Sequence, residues 1–269
     1  MILADCHVHS SFSDDCDTAI ERMIETAIQQ GRKYFYITDH HDFDYPVMDD
    51  GVTFQLDQAS YVARMEALRN QYQDKIQVRI GVELGLMAHI QQKTEQYAKG
   101  YAYDFIIGSS HMVNGIDPYY PAYYEDKNTY QAYEQYFLSI LDNVKAYDTY
   151  HSYGHLDYIM RYVPNQTKPY NPMDYYDILK DILTVIIEKG KSIEVNTGSL
   201  YKGFDFPHPH ESILKLYKQL GGEYITIGSD AHKPQHFGYG FDYAEAVLQR
   251  CGFRYYTLYE QGKPQQMKF

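Results

Sequence analysis

The sequence contains no tryptophan and only three cysteines, and it has no long apolar run. The cysteines, Cys6, Cys16 and Cys251, are odd in number and show no CxxC spacing, so we expect reduced thiols and no disulfide framework. The N-terminal stretch MILADC leads into polar residues without the basic and apolar regions of a signal peptide. No apolar run approaches the ~18 residues that a membrane span needs. These absences predict a cytoplasmic protein with no membrane partner.

Basic residues are scarce as well. The chain has 24 lysines and arginines against 36 aspartates and glutamates, which gives a formal net charge of −12. Binding to a nucleic-acid backbone needs a basic stripe, so we expect no nucleic-acid partner. An acidic protein that binds an anion must gather positive charge locally, and metal ions are one way to do so. Tyrosine, in contrast, is abundant at 31 residues, and half-buried positions around a barrel are its ordinary explanation.

The predicted secondary structure alternates strand and helix through seven units. The strands are predicted at residues 2–9, 34–40, 76–84, 105–111, 151–156, 192–197 and 224–230. Amphipathic helices are predicted at residues 18–30, 58–72, 87–99, 130–147, 172–189, 211–220 and 243–250. This alternation predicts an α/β fold with a parallel sheet inside and helices outside, and seven units suit a distorted, TIM-like (β/α)7 barrel. The chain has no linker or repeat, so we expect a single domain over residues 1–269.

Side chains of the kind that bind metal ions fall at the C-terminal end of every predicted strand. They are His7 and His9, Asp39 and His40, Glu83, His111, His155, Glu194 and Asn196, and Asp230 and His232. The C-terminal ends of parallel barrel strands open on one face, where active sites form. Clustered carboxylates and imidazoles are costly without a cation, so the pattern predicts a metal centre at that face. The histidines outside this pattern, such as His89, His208, His210 and His236, are expected to be solvated or structural.

The number of potential ligands predicts more than one ion. Six of the twelve histidines, together with Glu83, Asp230 and an early aspartate, give about nine ligands. A single catalytic zinc ion takes three protein ligands and a water molecule, so we expect two or three divalent ions with a carboxylate bridging two of them. Mixed nitrogen and oxygen donors suit zinc, iron(II) or manganese(II), and the sequence does not choose among these three.

The motifs HVH, SDD, TDHH, GVE, SSH, GHLD and SDAH occur in this order and resemble those of the polymerase and histidinol phosphatase (PHP) family. The match covers nearly the whole chain, and GSSHMVNGIDPYY and GHLDYIMRY look like the monofunctional histidinol-phosphate phosphatase branch. The family's domains are distorted seven-stranded barrels with trinuclear metal sites. The resemblance therefore implies an enzyme that hydrolyses L-histidinol phosphate to L-histidinol and inorganic phosphate, a step of histidine biosynthesis.

The resemblance also implies a ligand set. One ion would be held by His7, His9, Glu83 and Asp230, and Glu83 would bridge to a second ion bound by His111 and His155. A third ion would take His40, His232 and an acid of the SDD motif, where Asp14 matches the family's aspartate better than Asp15 does. Asp39, Glu194 and Asn196 would orient the imidazoles or the backbone around these ligands.

The same resemblance, read with the charges, implies a mechanism. Three divalent ions, three carboxylates and a bridging hydroxide have a net charge of about +2, which would attract a phosphate dianion. The hydroxide would attack phosphorus. Catalytic roles fall to Glu83, Asp230 and His232, with Asp230 or a histidine giving a proton to the leaving alkoxide. Arg161 is the first candidate for a further phosphate contact, and Lys202 is a weaker one. Asp117, with Tyr119 and Tyr120, would receive the ammonium and imidazole groups of the substrate.

Two alternative functions use the same residues. The first is a PHP-type phosphatase that acts on protein tyrosine, nucleotides or another small molecule. The second is a non-catalytic metal-binding or proofreading module that serves a partner polymerase, which would show no turnover and some affinity for nucleic acid. The intact ligand set and the negative charge favour an enzyme acting on a small phosphorylated metabolite, and they leave the oligomeric state open.

Overall fold

A parallel sheet organises the computed structural model, which describes residues 2–46, 51–164 and 169–269. Its strands are β1 Ala4–Asp5, β2 Tyr34–Ile37, β3 His40–His41, β4 Gln77–Gly85, β5 Phe105–Ser109, β6 Ser152–Tyr153, β7 Ser192–Asn196 and β8 Ile225–Gly228. They are hydrogen-bonded in the order β1-β2-β4-β5-β6-β7-β8, and β3 continues the path of β2 by pairing with the end of β4. The sheet therefore has seven strand positions, and the predicted distorted barrel is confirmed.

The barrel closes where the first and last strands meet. The backbone N–H of Cys6 donates to the carbonyl of Ile227 over 3.0 Å, and that of His9 donates to Ala231 over 3.0 Å. Val8 and Ala231 form a parallel bridge between these two contacts. Since His9 and Ala231 lie beyond the ends of β1 and β8, the closure extends to the C-terminal rim of the barrel.

Helices cover the outside of the sheet. They are α1 Ile20–Gln29, α2 Gln58–Tyr72, α3 Gln91–Ala98, α4 Thr129–Ala146, α5 Tyr176–Glu188, α6 Gly198–Tyr201, α7 Glu211–Gln219 and α8 Phe241–Arg250. In α1 the apolar residues Ile20, Met23, Ile24 and Ala27 recur at helical spacing and are all buried. The helix α4 begins at a capping box in which Asn128 and Gln131 bond each other's backbone N–H groups. Within the described residues, no helix is long and apolar enough to cross a membrane.

The structure departs from the predicted elements in three places. The strands β1 and β6 are two residues long, because the segments that carry His7, His9 and His155 leave the regular ladder. The predicted helices over 87–99 and 172–189 each begin as a 3-10 turn, at Ala88–Ile90 and Pro172–Tyr175. An antiparallel hairpin of β9 Tyr255–Glu260 and β10 Lys263–Lys268 follows the last helix and was not predicted.

This C-terminal hairpin covers the N-terminal end of the barrel. The Tyr36 hydroxyl donates to the Tyr259 carbonyl over 2.6 Å, and Thr257 Oγ1 accepts from the Ile225 N–H over 3.1 Å. The Gly262 N–H donates to the Asp104 carbonyl over 3.0 Å. The opposite end of the barrel, at the C-terminal ends of the strands, carries the candidate site.

Candidate metal centre

Glu83 lies at the middle of the C-terminal rim and is completely buried in β4. Its Oε2 lies 3.0 Å from His7 Nε2 and 3.1 Å from His40 Nδ1. Its Oε1 lies 3.2 Å from His111 Nε2 and 3.0 Å from His155 Nε2. One carboxylate thus faces imidazoles from four different strand ends, which is the arrangement expected of a bridging ligand.

Asp230 forms a second group with the first two histidines. Its Oδ1 lies 3.4 Å from His9 Nε2 and 3.8 Å from His7 Nε2. The backbone of Asp230 has φ of 58°, a left-handed conformation that is unfavourable for an aspartate and is found at functional sites. Hydrogen bonds from the Asp230 N–H to the His7 carbonyl (2.8 Å) and from the Tyr201 hydroxyl to the Asp230 carbonyl (2.8 Å) hold this conformation.

The third group contains Asp15, whereas the family motif favours Asp14. Asp15 Oδ2 lies 3.0 Å from His232 Nε2 and 3.8 Å from His40 Nε2. Asp14 instead accepts hydrogen bonds from the N–H and the hydroxyl of Thr53 and from the N–H of Phe54, at 2.8 to 2.9 Å.

Turn geometry explains why Asp15, and not Asp14, faces the histidines. The Cys16 N–H donates to the Ser13 carbonyl over 3.0 Å, so Asp14 and Asp15 are the two central residues of a tight turn. Their side chains diverge there, and only that of Asp15 faces the histidines.

The spacing of these donors fits divalent ions. Three sets of donor atoms each lie within 4.8 Å of one another: His9, His40 and His232; His7, His9 and Asp230; and His40, Glu83 and His111. Two ligands of one ion at about 2.0–2.1 Å lie roughly 2.9–3.4 Å apart at bond angles of about 90–110°. Six nitrogen–oxygen distances around Glu83, Asp230 and Asp15, from 3.0 to 3.4 Å, fall in this range. The two distances of 3.8 Å, from Asp230 to His7 and from Asp15 to His40, are longer.

Contacts behind the imidazoles fix which nitrogen faces the centre. His7 Nδ1 donates to Glu194 Oε1 over 2.7 Å, and His111 Nδ1 donates to Asp42 Oδ1 over 2.9 Å. The Nε2 atom of each ring is then directed at Glu83. Such outer hydrogen bonds set the tautomer and orientation of histidine ligands.

Asp39 acts on His9 through a serine. Ser13 Oγ donates to Asp39 Oδ1 over 2.8 Å and lies 3.2 Å from His9 Nδ1, from which it accepts. The Nε2 of His9 is buried and has no hydrogen-bond partner among the described residues. His9 therefore presents an unshared electron pair to the centre, as a metal ligand must.

Asp42 is the residue at this site that sequence reasoning missed. It follows His40 by two positions, so alternation along an extended segment could have identified it. The side chain packs so closely on Gly85 that a Cβ atom there would lie 1.4 Å from Asp42 Oδ1. Gly85 is therefore required for Asp42 to reach His111.

The charges of the cluster support the same assignment. Burial alone would raise the pKa of Glu83, but the imidazoles of His7 and His40 hold that pKa well below its ordinary value. Burial and the neighbouring rings of His232 and His40 lower the pKa of His9 well below its ordinary value. Burial would lower the pKa of His7, but the carboxylates of Glu194 and Glu83 raise it well above its ordinary value. The carboxylates of this cluster therefore attract positive charge, which protons supply in the absence of metal ions and which a divalent ion would supply by displacing those protons.

A cavity of about 300 Å³ opens beside the centre. It is lined by Asp15, His40, Tyr45, Val52, Phe54, His111, Asp117, Tyr119, Tyr120, His155, Tyr158, Arg161, Tyr162, Lys202, Asp230 and His232. The structure therefore brings the three predicted substrate-contact residues, Arg161, Lys202 and Asp117, to one cavity with the metal-binding groups.

Arg161 and Lys202 supply positive charge to this cavity. The Arg161 side chain is only 3% exposed, and its Nη1 lies 3.3 Å from Asp230 Oδ2. Its Nη2 donates to Asn196 Oδ1 over 3.1 Å. Lys202 is an exposed residue at the rim, where the Arg161 guanidinium and burial of the ammonium lower the pKa of Lys202 to about 8.

Asp117 supplies a negative group on another wall of the cavity. Its carboxylate accepts from the Tyr45 hydroxyl over 3.1 Å and from the Tyr119 N–H over 2.8 Å. Burial raises the pKa of Asp117 to about 6. At neutral pH this carboxylate is therefore mostly ionised and suited to a cationic group of a ligand.

The fold and the donor set together define a class: a parallel barrel with clustered candidate metal ligands at its C-terminal rim, the arrangement of metal-dependent hydrolases. The PHP domain family model matches residues 5–198, and the chain belongs to this family. Histidinol-phosphatase of Lactococcus lactis is 32% identical over 253 residues, which is 93% of this chain and 91% of the relative.

Solved structures agree with this assignment. The crystal structure of histidinol phosphate phosphatase from Lactococcus lactis, complexed with zinc, L-histidinol and phosphate, has a TM-score of 0.88 and 30% sequence identity. The similarity covers 97% of this chain and 98% of that chain. A Listeria monocytogenes protein with 19% identity and a TM-score of 0.74 supports the fold alone.

Proposed function

We propose that the chain is a metal-dependent phosphomonoesterase that hydrolyses L-histidinol phosphate to L-histidinol and inorganic phosphate. The observation that carries this proposal is the convergence of nine candidate metal ligands beside a cavity that also contains Arg161 and Lys202. Zinc, L-histidinol and phosphate are present in the similar Lactococcus lactis structure. An enzyme acting on a small metabolite is also consistent with the cytoplasmic location expected from the sequence.

Three groups of residues would hold two or three ions of zinc, iron(II) or manganese(II). The first comprises His7, His9, Glu83 and Asp230; the second Glu83, His111 and His155; and the third His40, His232 and Asp15. When bound, such ions supply Lewis acidity and activate water for attack on phosphorus. Glu83 belongs to two of the groups, so its charge would be shared between two ions.

Arg161 and Lys202 would bind the phosphate oxygens. The guanidinium is always charged and presents a planar pair of N–H donors, which matches two oxygens of one phosphate group. It lies beside Asp230, so a phosphate that contacts Arg161 also lies next to the metal-binding groups. Lys202 would add a second, more exposed charge at the rim of the cavity.

The remaining walls of the cavity would bind the organic part of the substrate. The Asp117 carboxylate would pair with the ammonium group, and the rings of Tyr119 and Tyr120 would pack against the imidazole. Asp230 and His232 also line the cavity, and one of them would give the leaving alkoxide its proton.

A panel of phosphomonoesters tests the proposal. We expect metal-loaded protein to hydrolyse L-histidinol phosphate with a kcat/KM at least ~100-fold above those for phosphotyrosine, adenosine monophosphate and p-nitrophenyl phosphate. Only the first substrate combines an imidazole ring with an ammonium group close to the phosphate ester, where the Asp117 carboxylate would pair with it. Comparable values across the panel would support the alternative of a general or protein-tyrosine phosphatase. An absence of turnover on every substrate would contradict phosphatase function altogether.

A further inference from the structure

His208 and Asp157 form a buried hydrogen-bonded pair apart from the nine metal-binding residues. Both side chains are fully buried, and His208 Nδ1 donates to Asp157 Oδ1 over 2.6 Å. The sequence predicts a solvated or structural role for His208, and its complete burial excludes the solvated one. The Asp157 carboxylate is therefore a buried charge whose position depends on its hydrogen-bond partners.

The second oxygen of Asp157 joins two further segments of the chain. Oδ2 accepts from the N–H of His210 over 2.9 Å and from the hydroxyl of Tyr170 over 3.2 Å. One carboxylate therefore connects the segment after β6, the segment before α5 and the loop after α6. Leaving such a group without its partners is costly, so these three segments are held together as a unit.

Asp157 also begins the short helix that ends at Arg161. The 3-10 turn comprises Tyr158–Arg161, and the Met160 N–H donates to the Asp157 carbonyl over 3.0 Å. Arg161 packs back over this turn, with its guanidinium carbon 5.2 Å from the centre of the Tyr158 ring. The start of the turn is thus fixed by the Asp157 side chain, and its end carries the guanidinium.

His208 is connected to the same guanidinium through Asn196. Two backbone hydrogen bonds join it to Asn196: Asn196 N–H to the His208 carbonyl (2.6 Å) and His208 N–H to the Asn196 carbonyl (2.8 Å). The side chain of Asn196 accepts from Arg161 Nη2 over 3.1 Å. The contacts therefore form a closed ring. The 3-10 turn links Asp157 to Arg161, hydrogen bonds link Arg161 to Asn196 and Asn196 to His208, and His208 bonds Asp157.

We infer that Asp157 and His208 are positioning residues that orient the Arg161 guanidinium for a phosphate group. The inference rests on the proposed function, because it takes phosphate as the anion that Arg161 binds. A guanidinium forms two parallel hydrogen bonds with a phosphate only in a narrow range of orientations. Fixing that orientation before binding lowers the entropy lost when the ligand binds.

Two substitutions of His208 test this inference. His208→Leu removes the donor to Asp157, whereas His208→Asn places an amide N–H near the position of Nδ1. The asparagine lacks Nε2, an atom that has no hydrogen-bond partner among the described residues. The readouts are the Kd of zinc-loaded protein for inorganic phosphate by calorimetry, kcat and KM, and bound zinc by mass spectrometry.

We expect the substitution to weaken phosphate and substrate binding but to leave turnover nearly unchanged. We expect His208→Leu to raise the phosphate Kd and the KM about 10-fold and to change kcat and zinc content less than about 2-fold, with His208→Asn within about 3-fold of wild type. The matched control is His151→Leu, a histidine at the opposite end of the barrel whose Nδ1 accepts from the Ile106 N–H. It should leave the phosphate Kd unchanged.

A double-mutant cycle separates positioning of Arg161 from a general structural role. In an Arg161→Gln background, His208→Leu should weaken phosphate binding no further, because the group that it positions is gone. Equal weakening in both backgrounds, unchanged phosphate affinity in His208→Leu, or loss of zinc would each overturn the inference. If His208→Leu does not fold, Tyr170→Phe removes one donor to Asp157. It should raise the Kd for inorganic phosphate about 2-fold, and this increase should be absent in the Arg161→Gln background.

The same experiment distinguishes the two proposals. If wild-type protein fails to hydrolyse L-histidinol phosphate but the cycle on phosphate Kd behaves as expected, the proposed function fails and the positioning role stands. If the wild type hydrolyses L-histidinol phosphate but the cycle shows no coupling between His208 and Arg161, the positioning role fails and the proposed function stands.

Discussion

The two ends of the barrel both bury polar side chains, but they satisfy them in different ways. At the N-terminal end, Ser192 Oγ lies 2.7 Å from the Tyr259 hydroxyl, and the Tyr36 hydroxyl both donates to and accepts from the Tyr259 backbone. At the C-terminal rim, carboxylates instead face imidazole nitrogens, and His9 Nε2 has no hydrogen-bond partner among the described residues. Hydroxyl and backbone groups therefore pair with one another where the hairpin meets the barrel, whereas the clustered carboxylates and imidazoles of the C-terminal rim are the groups that the proposed cations would bind.

The largest effect is expected from Glu83→Gln, which removes the charge shared by four imidazoles. The kcat/KM should fall more than about 10³-fold, beyond the 10–100-fold loss that follows removal of an outer contact. Steady-state kinetics and metal analysis of the purified variant measure this. His89→Ala, at an exposed position away from the rim, is the control and should retain wild-type activity. A Glu83→Gln enzyme with wild-type turnover would show that Glu83 is not a bridging ligand.

Removal of metal ions tests whether cations complete the C-terminal rim. A chelator should abolish activity and also lower the thermal midpoint, since ions at 100 times their Kd stabilise a folded protein by about 2.7 kcal/mol. Re-addition of zinc or manganese should restore both. The measurement is activity with parallel thermal unfolding. Full activity in protein shown to be free of metal would exclude a metal-dependent mechanism.

Asp14 and Asp15 offer a comparison within one turn. Asp15→Asn should lower kcat/KM by about 10–100-fold, because the carboxylate faces His232 and His40, whereas Asp14→Asn should lower it less than about 3-fold. Kinetics at saturating metal, with metal content determined in parallel, distinguish the two variants. The reverse order would restore the assignment that the family motif favours.

The lowered pKa of Lys202 predicts a pH dependence of substrate binding. The ammonium is charged below its pKa, which Arg161 and burial lower to about 8 from the ordinary value of 10.5. Its attraction for phosphate is therefore present at pH 7 and is lost as the pH rises through 8. We expect kcat/KM to fall about 3- to 10-fold between pH 7 and pH 9 in the wild type, and less in Lys202→Met. Identical profiles for the two proteins would contradict a phosphate contact by Lys202.

Much of the rim could be predicted from the sequence because parallel strands impose simple rules. His7 and His9 share a face by alternation, and the ends of all seven predicted strands open together. The choice between Asp14 and Asp15 could not be predicted, because it depends on a turn whose geometry the motif does not specify. The burial of His208 depends on a contact with a residue 51 positions away in the chain.

The C-terminal hairpin was missed for a different reason. The sequence of β10, KPQQMK, is mostly exposed and polar, so it shows no apolar alternation. Its register is set by pairing with β9, from Lys263 opposite Glu260 to Lys268 opposite Tyr255. Pairing with β9, whose four central residues are buried, stabilises a strand that its own residues do not indicate.

The smallest effect on activity is expected at this hairpin. Tyr36→Phe removes a hydroxyl that bonds both the carbonyl and the N–H of Tyr259, at 2.6 and 3.0 Å, and leaves those buried groups without this partner. The free energy of unfolding should fall by about 1–3 kcal/mol. The kcat/KM should stay at the wild-type value, because the Tyr36 hydroxyl contacts the hairpin at the end of the barrel opposite the candidate metal centre. Urea denaturation measures the free energy of unfolding, and steady-state kinetics measure kcat/KM. Tyr255→Phe, at an exposed tyrosine, is the matched control. A loss of activity in Tyr36→Phe at full metal loading would mean that the two ends of the barrel are not independent.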